Sequence, residues 1–471
     1  GIDNQGLSGI ELEYDKYLKG NDGGILYYSD GKGNRLNLSE VYDEPVNGNN
    51  ISLTIDINIQ EAVEKELDNV VTKYNPDSTL ALVMDPNSGE VLAMSSRPNF
   101  DSNNYKNYNL ETINRNLPIW MTYEPGSTFK IITLSSAINE GKVNLFDDHY
   151  YDGGSIQVEN ARIKCWKRGG HGSETFLNVV ENSCNPGFVV LGQRLGTETL
   201  YSYLEKFGFG KKTGIDLNGE ASGIMFKLSK MGPVETATTA FGQGISVTPI
   251  QQVTGVSAAI NGGTLYKPYI VKSISEPETN NVIVLNKKQV VRENIVTEET
   301  SKLVRFALES VVQNGTGKNA YIENYRVGGK TGTAQKVKDG KYMVGNYIVS
   351  FIGFLPADNP KYVVYVAVDN PKGITQYGGT VAAPIAKNIM LSIIDSQNIP
   401  KVETDRAREY TWLDTKYIKL PDVTGNDLDT AKKSLKGFKI EYSGSGEKVI
   451  SQMPEGNTFV KENSIVKILL D

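Results

Sequence analysis

Short continuous apolar runs alternate along this chain with stretches whose apolar residues recur at helical spacing. Leu80-Ala81-Leu82-Val83-Met84 and Val91-Leu92-Ala93-Met94 flank the turn-rich Asp85-Pro86-Asn87-Ser88-Gly89 and predict a hairpin of buried strands. Ahead of it, residues 51–55 read as a strand and residues 59–71 as an amphipathic helix. Residues 347–354 and 362–368 are two more strands, and residues 383–394 form a closing helix. Between these blocks, Phe129, Ile131, Ile132, Leu134, Ala137 and Ile138 carry the periodicity of a largely buried helix that opens at Ser127, after Glu124-Pro125-Gly126. The pattern predicts a mixed α/β (α+β) domain over residues 51–400, with an antiparallel sheet flanked by helices.

The two ends read differently. Residues 1–50 are rich in Gly, Asn and Asp, show little periodicity and are too few for a core of their own. Residues 401–416 are charged and aperiodic, as a linker is. Beyond them Leu420-Pro421-Asp422-Val423 leads to a short helix carrying Leu428, Ala431 and Leu435, stopped by Gly437, and then to strands over 438–442 and 464–470. This makes residues 417–471 a small ββα-type module. It holds eight Lys against eight Asp plus Glu and almost no aromatic platform, which favours packing or positioning over glycan binding.

Composition changes this picture little. The chain has 471 residues, 39% of them hydrophobic and 22% charged, enough for a substantial core. A net charge of −6 argues against nucleic acid as a partner. No run of 18 or more apolar residues spans a membrane.

Chemistry enters through three strings in a fixed order: Ser127-Thr128-Phe129-Lys130, Ser183-Cys184-Asn185 and Lys330-Thr331-Gly332-Thr333. S-x-x-K, S-x-N and K-T-G are the parts of one kind of nucleophilic serine centre. Each alone is common. S-x-x-K recurs at Ser29/Lys32, Ser445/Lys448 and Ser464/Lys467, S-x-N at Ser102/Asn104 and Ser396/Asn398, and K-T-G at Lys212, so context has to select. On the helix opening at Ser127, Lys130 lies one turn away on the same face, where a desolvated, neutral amine can take the hydroxyl proton. The bland alternative is an N-cap serine with a surface lysine. Lys330 follows the extended Tyr325-Arg326-Val327-Gly328-Gly329, whose paired glycines would let another backbone approach. A peptide could add there as a strand, with Lys330 and Thr333 at its carboxylate and the N–H groups of Thr333 and Ser127 around the oxyanion. Ser183 and Asn185 are expected where a helix closes into a loop before Pro186-Gly187. The Ser183 hydroxyl would relay protons and the Asn185 amide would hold the substrate backbone. The Lys212 copy reads as a structural turn.

Taken together, these motifs resemble the class B penicillin-binding proteins, and within that class the sporulation type carrying a C-terminal PASTA domain. Gly6-Leu7-Ser8-Gly9-Ile10-Glu11 with Tyr14-Asp15, Thr54-Ile55-Asp56, Phe241-Gly242-Gln243-Gly244 and Gln376-Tyr377-Gly378-Gly379 extend the likeness over nearly the whole chain. The resemblance implies a penicillin-binding fold, a shortened N-terminal pedestal in residues 1–50 and a PASTA domain in residues 417–471. It further implies D,D-transpeptidation of peptidoglycan stem peptides through an acylated serine, acylation of that serine by β-lactams, and a membrane glycan polymerase as partner. The family also carries a single-pass membrane anchor, absent from this sequence, with the catalytic domain extracytoplasmic. Two other readings use the same strings: a β-lactamase or D,D-carboxypeptidase that passes the acyl group to water, and a penicillin-responsive sensor or scaffold. No Glu-x-x-Asn loop in the context of a lactamase water activator lies between the second and third strings.

The two cysteines add a further site. Cys165 and Cys184 bracket His171 as C-x5-H-x12-C, with Asp152 a short loop upstream. Two thiolates, an imidazole and a carboxylate suit a tetrahedral, structural zinc ion, and the family resemblance implies a similar set. A Cys165–Cys184 disulfide, worth about 3 kcal/mol for a loop of this size, and two free thiols are the competing readings. Asp152 as fourth ligand competes with Asp147, Asp148 and His149 nearby.

Overall fold

The computed structural model describes all residues except 2, 37–39, 339, 403–416 and 462–463, and it forms two compact units, Gly1–Asp405 and Arg406–Asp471. The expected linker over 401–416 lies almost wholly outside the described residues.

The larger unit is built on a five-stranded antiparallel sheet. Helix α1 (Ile57–Tyr74) precedes β1 (Ser78–Met84) and β2 (Val91–Arg97), the hairpin expected from the sequence. Helices α2 (Lys130–Asn139), α3 (Phe176–Glu181), α4 (Asn185–Leu195), α5 (Pro249–Ile260) and α6 (Glu298–Gln313) follow. Then come β3 (Gly328–Lys338), β4 (Lys341–Leu355), β5 (Tyr362–Asp369) and α7 (Ala382–Ser396). The sheet order is β3-β4-β5-β1-β2, so β5 pairs with β1 and β3 is left at an edge.

Both faces of the sheet are covered, which explains why its strands are continuous apolar runs. Leu80, Leu82 and Met84 of β1 face a core shared with α2, α4, α5 and α6, whereas Ala81 and Val83 face a second core under α1 and α7. Helix α1 starts where Asp56 accepts the N–H groups of Asn58 and Ile59, and it buries Ile59, Val63, Leu67, Val70 and Tyr74 along one stripe. The first fifty residues form two short helices, Gly9–Glu13 and Asp15–Leu18, and a ribbon of Gly24–Leu26 with Val41–Asp43, none with a buried side chain. Tyr14 ties this segment to the body by donating to Asp216, which also accepts the N–H groups of Ile270 and Val271.

In the smaller unit, α8 (Leu428–Ser434) is capped by Asp427. It is accompanied by β6 (Lys439–Ser443), β7 (Val449–Met453) and β8 (Ile465–Leu470), with β8 central, parallel to β6 and antiparallel to β7. The ββα reading lacked β7, because that strand buries only Val449 and shows no periodicity. Strand β8, which alternates exposed and buried, was legible.

Candidate active site and metal cluster

The helix expected to open at Ser127 begins instead as a 3₁₀ turn, Gly126–Phe129, that runs into α2 at Lys130. Thr128 is buried and donates to Pro125 O at 2.9 Å. Gly126 sits at φ +55, in the left-handed region that suits glycine, and donates to Gly242 O. A Cβ on Gly242 would lie 2.1 Å from Gly126 O, so the Phe241-Gly242-Gln243-Gly244 loop packs directly on the serine turn. Glu124 fixes that loop by accepting the Gly244 N–H at 2.8 Å. Ser127 is half-buried and lines a cleft of about 670 Å³, where among the described residues its Oγ holds no hydrogen bond.

Ser183-Cys184-Asn185 lies at a helix-to-helix junction, not at a helix closing into a loop. Helix α3 ends at Glu181, and α4 begins at Asn185, with Cys184 Sγ accepting the Gly187 N–H and Pro186 in the first turn. Ser183 takes φ +54 to make the connection. It thereby turns both its carbonyl and its hydroxyl to Lys130, whose Nζ donates to Ser183 O at 2.8 Å, Ser183 Oγ at 3.2 Å and Asn185 Oδ1 at 2.7 Å. Lys330 Nζ reaches the same Ser183 Oγ at 2.8 Å from the other side. The three strings therefore meet at one hydroxyl.

Both lysines are about 1% exposed and neither has a carboxylate among its hydrogen-bond partners. Burial lowers the Lys130 amine from its ordinary 10.5 to about 7. Burial, reinforced by the charge of Lys130, also places Lys330 well below the usual lysine range.

Along β3, alternate residues Thr331, Thr333 and Gln335 line the cleft, while Lys330 lies beneath it. Thr331 Oγ1 bonds Thr316 Oγ1 at 3.2 Å, and Thr333 Oγ1 accepts the Gly378 N–H at 3.2 Å. A Cβ on Gly378 would meet Gly332 O at 2.3 Å, so the Gln376–Gly379 loop lies against the third string. The paired glycines serve a purpose other than the one expected. A Cβ on Gly328 would lie 2.3 Å from the Phe354 ring and one on Gly329 2.4 Å from that of Phe351, so they make room for aromatic rings of the neighbouring strand. The second K-T-G copy is a turn, with Thr213 and Gly214 N–H groups bound by Glu220.

Thr316, Asn319, Gln335 and Tyr347 also line the cleft, and sequence reasoning missed them. Thr316 had a signal, since it stands between Gly315 and Gly317, and a Cβ on Gly315 would lie 2.4 Å from Glu181 O.

Next to Ser183 in the chain, Cys184 joins Asp152, Cys165 and His171, each bringing a ligand atom to within 4.8 Å of the others. Asp147, Asp148 and His149 are not part of the group. Asp152 Oδ2 lies 2.9 Å from His171 Nδ1 and 3.4 Å from Cys184 Sγ, and Cys165 Sγ lies 3.5 Å from His171 Nδ1. Both cysteines are free thiols and no disulfide joins them. Burial pushes the Asp152 carboxyl up, but hydrogen bonds from Cys165, His171, the Gly154 N–H and Cys184 together bring it down to about 2. Their mutual hydrogen bond lowers Cys165 and raises Cys184, so Cys165 gives up its proton first. Glu174, which the sequence did not single out, stands beside them, its buried Oε2 lying 3.9 Å from His171 Nδ1 and without a hydrogen bond among the described residues. The donor set and its convergence fit a divalent metal ion. Trp166 joins this cluster to the cleft. Its ring meets the His171 ring edge to face at 5.4 Å, its indole N–H donates to Asn182 O at 2.8 Å, and it lines the cleft with Ser127.

A serine on a turn opening a buried helix, a lysine pair joined through a second serine, and a glycine-bearing edge strand define the active-site-serine class of penicillin-binding folds. Residues 79–391 match the penicillin binding protein transpeptidase domain, residues 418–471 the PASTA domain, and residues 1–53 the penicillin-binding protein dimerisation domain. The chain belongs to the penicillin-binding protein transpeptidase family. It is 54% identical to Stage V sporulation protein D of Bacillus subtilis (strain 168), over 100% of this chain and 73% of that protein. It is 32% identical to the peptidoglycan D,D-transpeptidase FtsI of Escherichia coli (strain K12), over 84% of this chain and 65% of that one. Penicillin binding protein 3 of Mycobacterium tuberculosis, solved with ampicillin, superposes with a TM-score of 0.76 at 30% identity, covering 87% and 88% of the two chains.

Proposed function

We propose that the protein is a peptidoglycan D,D-transpeptidase that cross-links stem peptides, those of the spore cortex, through an acyl-enzyme on Ser127. The observation that carries this reading is the state of Lys130. It is buried, lowered to about 7 so that a large share is neutral near pH 7, and hydrogen-bonded to Ser183 and Asn185, with Ser127 in the adjoining cleft. Neutral Lys130 takes the proton of Ser127 Oγ, which attacks the carbonyl carbon of the penultimate D-Ala of a donor stem. The oxyanion is held by the N–H groups of Ser127 and Thr333. The C–N bond to the terminal D-Ala breaks, and the leaving amine receives the proton from Lys130 through the Ser183 hydroxyl. An amine of a neighbouring stem then attacks the ester, its proton returns by the same path, and Ser127 is released as the hydroxyl.

Thr331, Thr333 and Thr316 receive the donor carboxylate, with Lys330 supplying positive potential from beneath and Gly332 keeping the strand narrow. Asn185 holds the peptide backbone. β-Lactams enter by the same route. Asp152, Cys165, His171 and Cys184 hold a zinc ion, which when bound supplies a rigid link between the 152–171 loops and the junction bearing Ser183. A membrane anchor and a membrane glycan polymerase complete the working assembly outside the cytoplasm. Among the described residues no helix is long and apolar enough to cross a membrane.

Intact-mass measurement with benzylpenicillin tests the nucleophile. Wild-type protein is expected to gain one drug mass, and Ser127→Ala to gain none while keeping its melting temperature. An adduct on the variant, or none on the wild type, overturns the assignment.

A further inference from the structure

Under the serine turn runs a buried chain of hydroxyl groups that the reaction above leaves unused. Tyr365 stands in β5 with no exposure, and Tyr123 lies just ahead of the serine turn, 8% exposed, its backbone paired with Val247. Their two phenol oxygens hydrogen-bond each other. One phenol donates to the other, and the remaining proton and lone pairs still need partners. Tyr365 pairs with Ile352 across the β4–β5 register, which makes Ser350 its diagonal neighbour, and the hydroxyls of Ser350 and Thr128 offset part of the upward push that burial exerts on the Tyr365 phenol. Ser350 lies directly across from Gly332 in the β3–β4 register. A Cβ on Gly332 would come within 2.3 Å of Ser350 Oγ and 3.0 Å of Thr128 Cγ2, so Gly332 is gripped between these two residues. Thr128 follows Ser127, and Gly332 precedes Thr333. Of the two residues proposed to hold the oxyanion, Ser127 is therefore next to Thr128, and Thr333 is next to Gly332, which faces Ser350 across the β3–β4 register. Phenylalanine at both tyrosines would fill the same space without burying two polar groups, so the hydroxyls are costly as packing alone.

We infer that Tyr365, braced by Tyr123, is a positioning residue that sets the separation between the serine turn and the Thr333 segment of β3, and with it the geometry of the oxyanion donors. This rests on the acyl-enzyme reading given above. The pair touches neither substrate nor the reacting atoms and acts only through Thr128 and Ser350.

The test uses the whole chain, benzylpenicillin labelled with ¹³C at the lactam carbonyl, stopped-flow acylation and difference infrared spectroscopy of the acyl-enzyme. Tyr365→Phe is expected to slow acylation by roughly tenfold or more, in the direction of losing an oxyanion donor. Initial non-covalent binding should stay within about twofold, and the ester carbonyl stretch should move to higher wavenumber as its donors draw apart. Tyr123→Phe and Ser350→Ala should shift the stretch the same way by less, and they carry the test if Tyr365→Phe does not fold. Val63→Ala, in the second core under α1, should lower the melting temperature yet leave the stretch in place; an equal shift there would mean general loosening and overturn the inference. A normal rate and an unmoved stretch in the tyrosine and serine variants overturn it as well. A wild-type protein that forms no ester at all defeats the acyl-enzyme reading instead.

Discussion

On one side of Ser183 the protein buries two amines with no carboxylate among their hydrogen-bond partners; on the other, Cys184 belongs to a set of two thiols, a carboxylate and an imidazole whose ligand atoms converge. The same short connection between α3 and α4 serves both. Burial disfavours charge in both clusters, but only the amines yield to it; at Asp152 converging hydrogen bonds overcome it. The amines become neutral by losing protons, which turns Lys130 into a base close to neutral pH. In the other cluster the hydrogen bonds to Asp152 hold its carboxylate at about 2, in a donor set that could hold a metal ion. One kind of environment thus leaves an amine lowered to about 7 in one place and a donor set that could hold a metal in the other.

The largest effect should come from filling the first cluster with a group that cannot titrate. Lys130→Met is expected to lower the β-lactam acylation rate by roughly 10²- to 10⁴-fold, measured by stopped flow. In the wild type the rate should fall about tenfold per unit as pH drops below about 7, where Lys130 becomes an ammonium, and level off above it. In the variant that dependence should vanish. The linked stability term has a definite sign. The amine binds its proton less readily folded than unfolded, so it costs stability below about 7 and the cost fades as pH rises towards 10.5. A wild-type rate that does not change across this range would break the comparison at its first half.

The second half is tested by Cys184→Ser. Native mass spectrometry should find one zinc ion on the wild type, and the variant should bind zinc at least roughly 10- to 100-fold more weakly, with a melting temperature several degrees lower. Wild-type protein stripped by a chelator that keeps both its melting temperature and its acylation rate would show the cluster to be idle.

The smallest effect concerns the residue between the clusters. Trp166→Phe removes the indole N–H bond to Asn182 O, worth about 1 kcal/mol, and trims the ring that lines the cleft, so acylation should slow by roughly two- to fivefold. Zinc content should not change. A loss of zinc in that variant would mean that the two clusters are not separable.

Much of this was open to reading from the chain because apolar period and motif order are local properties. Residues 80–84 and 91–94 are strands on their own composition, and Ser127, Ser183 and Lys330 can be chosen over their accidental copies by flanking residues alone. What escaped depends on tertiary neighbours. Nothing local says that Gly328 and Gly329 face Phe354 and Phe351, or that Thr316, after a long helix, returns to touch Thr331. Glu174 looks like any strand-end acid until its place beside His171 is seen, with their side-chain atoms 3.9 Å apart. Cys184 reads as a ligand by spacing, but its second task as N-cap of α4 appears only once Asn185 is seen to begin that helix.

The left-handed backbone of Ser183 bears on any effort to engineer this protein for heat resistance. Serine at φ +54 costs about 1 kcal/mol that glycine or asparagine would largely escape, so a search for sturdier variants would favour replacing it. Glycine would relax the chain while deleting the oxygen shared by Lys130 and Lys330. At this position durability and turnover are opposing goals, and a screen that scores only survival on heating would select idle protein.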